Sequence, residues 1–310
     1  MIEYLIGTGG WAYFHIPGLN SLAAYSRAFN FVEVNSTFYQ MPQLEQAERW
    51  RRIVPPDFQF SVRAYRSITH KYELQPDQEA LEDLAKTKQI CGALGADILH
   101  LQTPPSFKPS PSSISGFRNL ISSTDLGKLR IALEVRGVPS SKLPTELINT
   151  MQDFNMVHCV DVSKGEMPAY ESDVLYSRLF GKGEHNKYQP TDGELAEMDS
   201  KILNSGSQKM VMSFHFVRMY KDAARLKIYK QTGKFPQITG STGLESLEES
   251  LSEDAKFPTT KQELINSQGW KLFDVDKNER VHASNFLQKL PEKTYKNIGE
   301  IVDNLQAITG

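Results

Sequence analysis

Short apolar runs of five to seven residues recur along the first 235 positions, alternating with longer stretches whose apolar residues fall three and four apart. The first pattern is that of a buried parallel strand and the second that of a helix with one apolar face. Strands are predicted at Tyr4 to Thr8, Phe31 to Asn35, Phe58 to Arg63, Ile98 to Gln102, Arg130 to Val135, Met156 to Val162, Leu175 to Phe180 and Lys209 to Phe214. Helices are predicted at Leu22 to Phe29, Leu44 to Arg52, Glu79 to Leu94, Ile114 to Ser122, Thr145 to Asp153, Gly193 to Asn204 and Tyr220 to Thr232. Eight strands alternating with helices predict an α/β fold, the (β/α)8 TIM-type barrel.

The second strand breaks its own pattern. Glu33, Asn35 and Thr37 alternate along it and Tyr39 follows, ahead of the turn signal Met41-Pro42. A polar face on a core strand is costly to bury unless a ligand or a hydrogen-bond network uses it. This stretch is therefore expected to form one wall of a site at a strand end; the alternative is a set of polar groups satisfying one another inside the barrel.

After Gly233 the texture changes. Residues 240 to 256, rich in Ser, Gly and acid, read as a flexible linker or a solvated helix. FPTTKQELI and LPEKTYKNIGEIVDNL then open and close a compact tail. The expected organisation is a barrel over 1–235, a linker over 236–256 and a small, mainly helical module over 257–310.

Composition narrows the class. With 39% hydrophobic and 23% charged residues the chain is an ordinary globular protein, and no apolar run approaches the roughly 20 residues needed to cross a bilayer. Cys91 and Cys159 lie in apolar patterns, which favours reduced buried thiols and a cytoplasmic location. Residues 241–310 carry 8 basic and 12 acidic side chains, so the chain's net −2 divides into −4 there and +2 before it. Neither part is basic enough to argue for nucleic acid from charge alone.

Active sites of such barrels lie at the C-terminal strand ends, and polar residues end every strand here. In order they are Gly7 to Trp11; Glu33 and Asn35; Arg63 leading to Thr69 and His70; His100 or Gln102; Glu134 and Arg136; Asp161; Arg178 and Gly181; and His215. Glu134 and Arg136 share one strand face, so the carboxylate is expected to be held ionised by the guanidinium. Trp11 can stack on a sugar or base, or plug the barrel end. Glu33, Glu134, Asp161 and His215 are the residue types a divalent metal ion would take, although no close ligand spacing supports the set. Lys182, after strand seven, lies where such barrels commonly bind phosphate. His70 is a candidate proton-transfer group.

The segments GTGGWAY, VEVNSTFYQMP, FSVRAYRSITH, LQTPPSF, ALEVR and YSRLFG together resemble the landmarks of the family known as domain of unknown function 72. The resemblance covers roughly residues 4 to 230. It implies a TIM-type barrel and a site built from Gly9, Trp11, Glu33, Asn35, Thr37, Tyr39, Thr69, His70, Gln102, Glu134 and Arg136, with no established reaction. Arg63 stands where a lysine is expected in many relatives, and a guanidinium does not serve as a proton-abstracting amine. The last strand, VMSFHFVRMY, departs from the family pattern, so no role is carried to His215. The tail resembles a second small family, domain of unknown function 2795, with a longer interrupting segment GWKLFDVDKNERVHAS.

The resulting expectation is a hydrolase acting on a phosphate- or sugar-containing substrate, nucleic acid included. Glu33, His70 and Glu134 would be its catalytic groups. Gly9, Trp11, Asn35, Thr37, Tyr39, Arg63, Thr69, Gln102, Arg136, Arg178 and Lys182 would bind the substrate. A sugar isomerase or epimerase, and a non-catalytic barrel that binds a ligand, use the same parts. The partners expected are a small anionic or sugar-like ligand and, for the tail, a protein.

Overall fold

The structure, a computed structural model, describes residues 2–309. Two compact units divide the chain: residues up to Leu179 together with Ser200–His215, and Phe180–Asp199 together with the chain from Phe216 onward. Among the described residues, no helix is long and apolar enough to cross a membrane.

The first unit is the expected barrel. Its strands are β1 (Glu3–Thr8), β2 (Phe31–Val34), β3 (Gln59–Arg63), β4 (Ile98–Gln102), β5 (Arg130–Glu134), β6 (Val157–His158), β7 (Val174–Leu179) and β8 (Lys209–Phe214). They form one parallel sheet in the order β6-β5-β4-β3-β2-β1-β8-β7. The two ends meet where Val160 pairs with Ser177, closing the ring. The sixth strand, expected to run from Met156 to Val162, is regular over only two residues and continues as this bridge.

Between the strands run α1 (Ser21–Ala28), α2 (Leu44–Ile53), α3 (Gln78–Leu94), α4 (Pro111–Ser122) and α5 (Thr145–Asp153). Local chemistry sets their ends. Asp77 caps α3 by accepting from the Glu79 amide, and Gly95 ends it at φ 63°, a left-handed conformation glycine adopts without strain.

Because strand side chains alternate, each barrel strand contributes every second residue to the interior. The lower interior is apolar: Leu5, Phe31, Ile98, Ala132, Val157, Val174 and Val211 pack into one buried cluster with Cys159 and Tyr176. Continuing each strand by two or four residues along the same face gives Gly7 and Gly9, Glu33, Ser61 and Arg63, His100 and Gln102, Glu134, Arg178, and Ser213 and His215. The polar exceptions in the sequence are thus the upper interior layers, at the C-terminal ends.

The second unit includes α6 (Asp192–Leu203) up to Asp199, α7 (Met219–Thr232), α8 (Leu244–Ser252), β9 (Thr259–Thr260), α9 (Lys261–Gln268), β10 (Leu272–Asp274), β11 (Arg280–His282), α10 (Ser284–Leu287), β12 (Thr294–Tyr295) and α11 (Ile298–Thr309). β10 pairs with β11 and β12 with β9, both antiparallel. The segment expected to be a linker or a solvated helix is instead packed: Leu247 and Leu251 of α8 are buried in a core with Leu264, Phe273, Leu287, Tyr295, Ile301 and Leu305. Their acidic neighbours cover the outer face of α8 and conceal the apolar one from a compositional reading.

Buried charges tie the pieces of this unit together. Asp192 pairs with Arg225 and Arg280 at 2.6 Å each, and Arg280 also meets Asp274 at 2.9 Å. Gln189 accepts from the Leu272 amide at 2.9 Å.

Candidate active site

The upper barrel interior is organised around Arg178 of β7, whose side chain is only 2% exposed. Its Nε donates to both oxygens of Glu33, at 3.0 and 3.2 Å, and its Nη2 donates to Glu33 Oε1 at 3.0 Å. Its Nη1 donates to Glu134 Oε2 at 2.7 Å. One guanidinium therefore bridges two carboxylates from strands β2 and β5. Charge-assisted donors in this fork geometry are among the strongest a protein makes.

The carboxylates hold further partners. Tyr176 donates its hydroxyl to Glu33 Oε2 at 2.8 Å, and Ser61 Oγ lies 2.7 Å from the same hydroxyl. Gln102 Nε2 donates to Glu134 Oε1 at 2.9 Å, and His100 Nε2 sits 3.2 Å from Glu134 Oε2. The His100 ring stacks on Tyr176 with 5.8 Å between centroids. His215 Nε2 lies 3.0 Å from Ser213 Oγ and 3.6 Å from Glu33 Oε1.

Electrostatics fixes the protonation states. Burial alone would raise the Glu33 carboxyl, but Arg178 overrides it and holds the group at about 2. Glu134 is likewise held well below the usual carboxylate range, burial again being outweighed by Arg178 and by the His100 hydrogen bond. Burial and Arg178 push His100 down, and push His215 down to about 3. Near neutral pH both carboxylates are charged and both imidazoles are not. A neutral His100 that donates from Nε2 to Glu134 leaves Nδ1 as an acceptor, and that atom is buried with no hydrogen-bond partner among the described residues.

Above this layer the site reaches solvent. Arg63 donates to Asn35 Oδ1 at 2.8 Å and to Gln102 Oε1, with its guanidinium 3.7 Å from the centre of the Phe38 ring. Burial and Arg178 lower it to about 10, so it stays charged at neutral pH. Exposed Arg136 has its Nε 3.7 Å from Glu134 Oε1. His70, also exposed, stacks edge-on against Phe38 and lies 2.8 Å from the Thr69 hydroxyl. Burial, Arg63 and Arg136 all push its imidazole down.

The expected site residues therefore sort by place. Glu33, Asn35, Arg63, Thr69, His70, Gln102, Glu134 and Arg136 come together as one connected set. Gly9 belongs beside them, since a Cβ there would stand 2.2 Å from His215 Cε1. Trp11 packs edge-on against Trp50, with 5.1 Å between ring centroids. Tyr39 is exposed and touches Phe38 edge-on.

Several expectations are corrected. The strand ends at Val34, and Asn35–Phe38 is a 3-10 turn, so Glu33, Asn35 and Thr37 do not form one strand face. Thr37 is buried with its hydroxyl 2.7 Å from Val34 O and 2.5 Å from Arg63 O, which makes it a turn staple. Arg178, expected to bind the substrate, is instead buried between the two carboxylates and donates to both. Glu33, expected to be a catalytic group, is fully buried and held by Arg178 and Tyr176. Lys182 is an exposed partner of Glu194 at 2.9 Å in the second unit. Asp161 does not join Glu33, Glu134 and His215; its carboxylate caps the turn Val162–Lys164 by accepting from the Ser163 amide.

Sequence reasoning left Tyr176 out of the site, named His100 only as a strand-end alternative to Gln102, and gave His215 no role beyond the set of metal-type residues. The signal available was their period-2 spacing from apolar interior residues, as in Ile98 to His100 and Val174 to Tyr176 to Arg178.

The metal expectation fails on chemistry. Among the described residues, the one grouping with suitable ligand atoms is His100, Glu134 and Cys159, within 4.8 Å of one another. Glu134 already receives Arg178, His100, Gln102 and Arg136, and burial pushes the Cys159 thiol well above its ordinary value, keeping it neutral. A dication there would stand beside the buried Arg178 guanidinium, which already donates to Glu134 Oε2 at 2.7 Å.

Comparison with known proteins agrees with the barrel. A protein of Escherichia coli K12 described as "UPF0759 protein YecE" is 34% identical over 93 residues, 30% of this chain and 34% of that protein. The match thus spans about a third of the length of that curated relative. A DUF72 family protein from Thermotoga maritima superposes with a TM-score of 0.58 at 19% identity, covering 74% of this chain and 99% of that one. One from Enterococcus faecalis gives 0.58 at 16% identity, over 75% and 98%. A structure described as a D-tagatose 3-epimerase-like protein gives 0.51 at 12% identity over 74% and 96%, a likeness of fold. The model of the family described as "Protein of unknown function DUF72" matches residues 5–231, and the chain belongs to that family.

Proposed function

We propose that the barrel mouth is the active site of a hydrolase acting on a small phosphate-bearing substrate. The observation that carries this reading is the pair of guanidinium groups, Arg63 and Arg136, beside a partly exposed imidazole, His70, which burial and then both arginines push down from its ordinary value. Cations that hold a phosphoryl group beside a neutral base form the minimal apparatus for directing water at phosphorus. With Nδ1–H donating to Thr69 Oγ1, the Nε2 of His70 takes the proton of that water. Arg136 and Arg63 neutralise the phosphoryl oxygens, while Glu134 and Asn35 fix the two guanidinium groups.

The same charges argue against the sugar-hydrolase branch of the expectation. Two-carboxylate glycoside hydrolysis needs one carboxylic acid kept protonated, and here Glu33 and Glu134 are both held ionised. The sugar isomerase or epimerase alternative keeps the support of a fold shared with the epimerase-like protein, and that likeness carries no residue-level role.

A panel of phosphomonoesters, phosphodiesters and sugar phosphates, scored both for released phosphate or alcohol and for isomerised sugar, tests the reading. Turnover by the wild type that falls about 100-fold or more in His70→Gln supports it, in line with the usual contribution of a general base. Isomerisation without hydrolysis, or hydrolysis undiminished in His70→Gln and Arg136→Ala, rejects it.

A further inference from the structure

Three guanidinium groups meet at the barrel mouth, and two of them have a carboxylate beside them. Arg178 donates to Glu33 and Glu134, and Arg136 Nε lies 3.7 Å from Glu134 Oε1. Arg63 is held differently. Its Nη1 donates to the Asn35 side-chain carbonyl at 2.8 Å, its Nη2 donates to the Gln102 carbonyl, and its guanidinium stands 3.7 Å from the centre of the Phe38 ring. All three partners are uncharged. Among the described residues no carboxylate pairs with Arg63, and its Nε is buried with no hydrogen-bond partner. Arg63 is only 8% exposed, and a cation so placed without a counter-charge is costly.

Gln102 stands between this cation and a carboxylate. The register of β4 against β5 sets Gln102 beside Glu134, and the register of β3 against β4 sets Arg63 beside His100, two residues earlier on the same interior face. A guanidinium only donates and an ionised carboxylate only accepts, so the direction of the amide is dictated by its neighbours. Its oxygen accepts from Arg63, and its nitrogen donates to Glu134 Oε1 at 2.9 Å.

We propose that Gln102 is a positioning residue whose amide keeps Arg63 from pairing with Glu134, and so leaves the charge of Arg63 to be balanced by the anionic ligand. This role rests on the phosphate reading and adds to it which cation is uncommitted and what keeps it so. Without the amide, Arg63 Nη2 would lack an acceptor and Glu134 Oε1 a donor, and a direct ion pair between them satisfies both. The charge count agrees: Glu33 and Glu134 against Arg63, Arg136 and Arg178 leave one positive charge over, which a bound anion offsets.

A double-mutant cycle on the full-length protein tests this. Ribose 5-phosphate binding is measured by isothermal titration in wild type, Gln102→Met, Arg63→Gln and the double variant, and the His70 imidazole is titrated by NMR in each. Gln102→Met keeps the reach of the side chain without its polar atoms. It is expected to weaken binding about tenfold and to raise the titration point of His70, because Arg63 leaves the neighbourhood in which it pushes that imidazole down. In the Arg63→Gln background the same change is expected to do neither. Losses of equal size in both backgrounds, or full affinity and an unmoved His70 in Gln102→Met, overturn the proposal. A wild type that binds no ribose 5-phosphate, while His70 still responds to Gln102→Met only when Arg63 is present, removes the phosphate reading and leaves the positioning of Arg63 standing. If Gln102→Met does not fold, Gln102→Asn, one methylene too short to touch both partners, takes its place with the same expectations. If neither folds, a crystal structure of the wild type with ribose 5-phosphate decides: Arg63 donating to the phosphoryl group supports the proposal, and Arg63 out of contact with it overturns it.

Discussion

Replacing Glu33 by Gln isolates the buried charge pair on which the mouth is built. The change keeps the shape of the side chain but removes the carboxylate that accepts three contacts from Arg178 at 3.0 to 3.2 Å and one from Tyr176 at 2.8 Å. Arg178 would then be a buried cation with Glu134 as its remaining carboxylate. Removing one partner of a buried ion pair costs about 3–5 kcal/mol. An independent route gives a similar size: holding a carboxyl at about 2 against an ordinary 4.5 corresponds to about 3 kcal/mol at 1.36 kcal/mol per pH unit.

The sign in pH follows from the direction of that shift. A carboxyl lowered in the folded state contributes stability that is fully present above its unfolded value of 4.5 and is lost as pH falls toward about 2. Urea unfolding of wild type and Glu33→Gln, followed by tyrosine and tryptophan fluorescence at pH 7, 5 and 3, should show a gap of about 3 kcal/mol at pH 7 that narrows between pH 5 and 3. A gap below about 1 kcal/mol at pH 7, or one that does not change with pH, would refute the reasoning.

Three further outcomes follow from single contacts. Gly9→Ala should destabilise the barrel by about 1–3 kcal/mol, because its Cβ would meet the His215 ring at 2.2 Å; thermal unfolding should show His215→Ala recovering part of the loss. Arg280→Ala should cost the second unit about 3 kcal/mol, since it leaves Asp274 buried and deprives Asp192 of a 2.6 Å partner, and hydrogen exchange should locate the loosening in β10 and β11. Both cysteines should resist a thiol reagent until the protein unfolds: burial pushes Cys91 up to about 12 and Cys159 well above its ordinary value, so rapid reaction of either thiol in the native state would contradict their placement.

The barrel was legible because a parallel strand buried on both faces writes an apolar run that little else imitates, and eight of them alternate with helical patterns. Glu33, Glu134, Gln102 and Arg63 were legible as polar residues where such runs end. Which of them meet was not. Arg178 pairs with Glu33 across 145 positions, and only closure of the ring brings β7 opposite β2, so a local reading assigned Arg178 to a substrate anion and gave Glu134 to Arg136. Continuing the strand alternation past Val34 failed because Thr37 bonds back to Val34 O, which favours a turn over an extended chain. In α8, acidic residues dominate the composition, whereas Leu244, Leu247 and Leu251 lie three and four apart on the face that packs.

The central claim is that Arg63 and Arg136 make the barrel mouth a phosphate-binding site. Isothermal titration of the wild type with ribose 5-phosphate and with ribose, repeated on Arg136→Ala, tests it most directly. The account predicts binding of the phosphate ester but not of the bare sugar, weakened about tenfold or more in Arg136→Ala, as loss of one charge-assisted contact of about 1.5–3 kcal/mol requires. Equal affinity for both ligands, or phosphate-ester binding unchanged in Arg136→Ala, would contradict it.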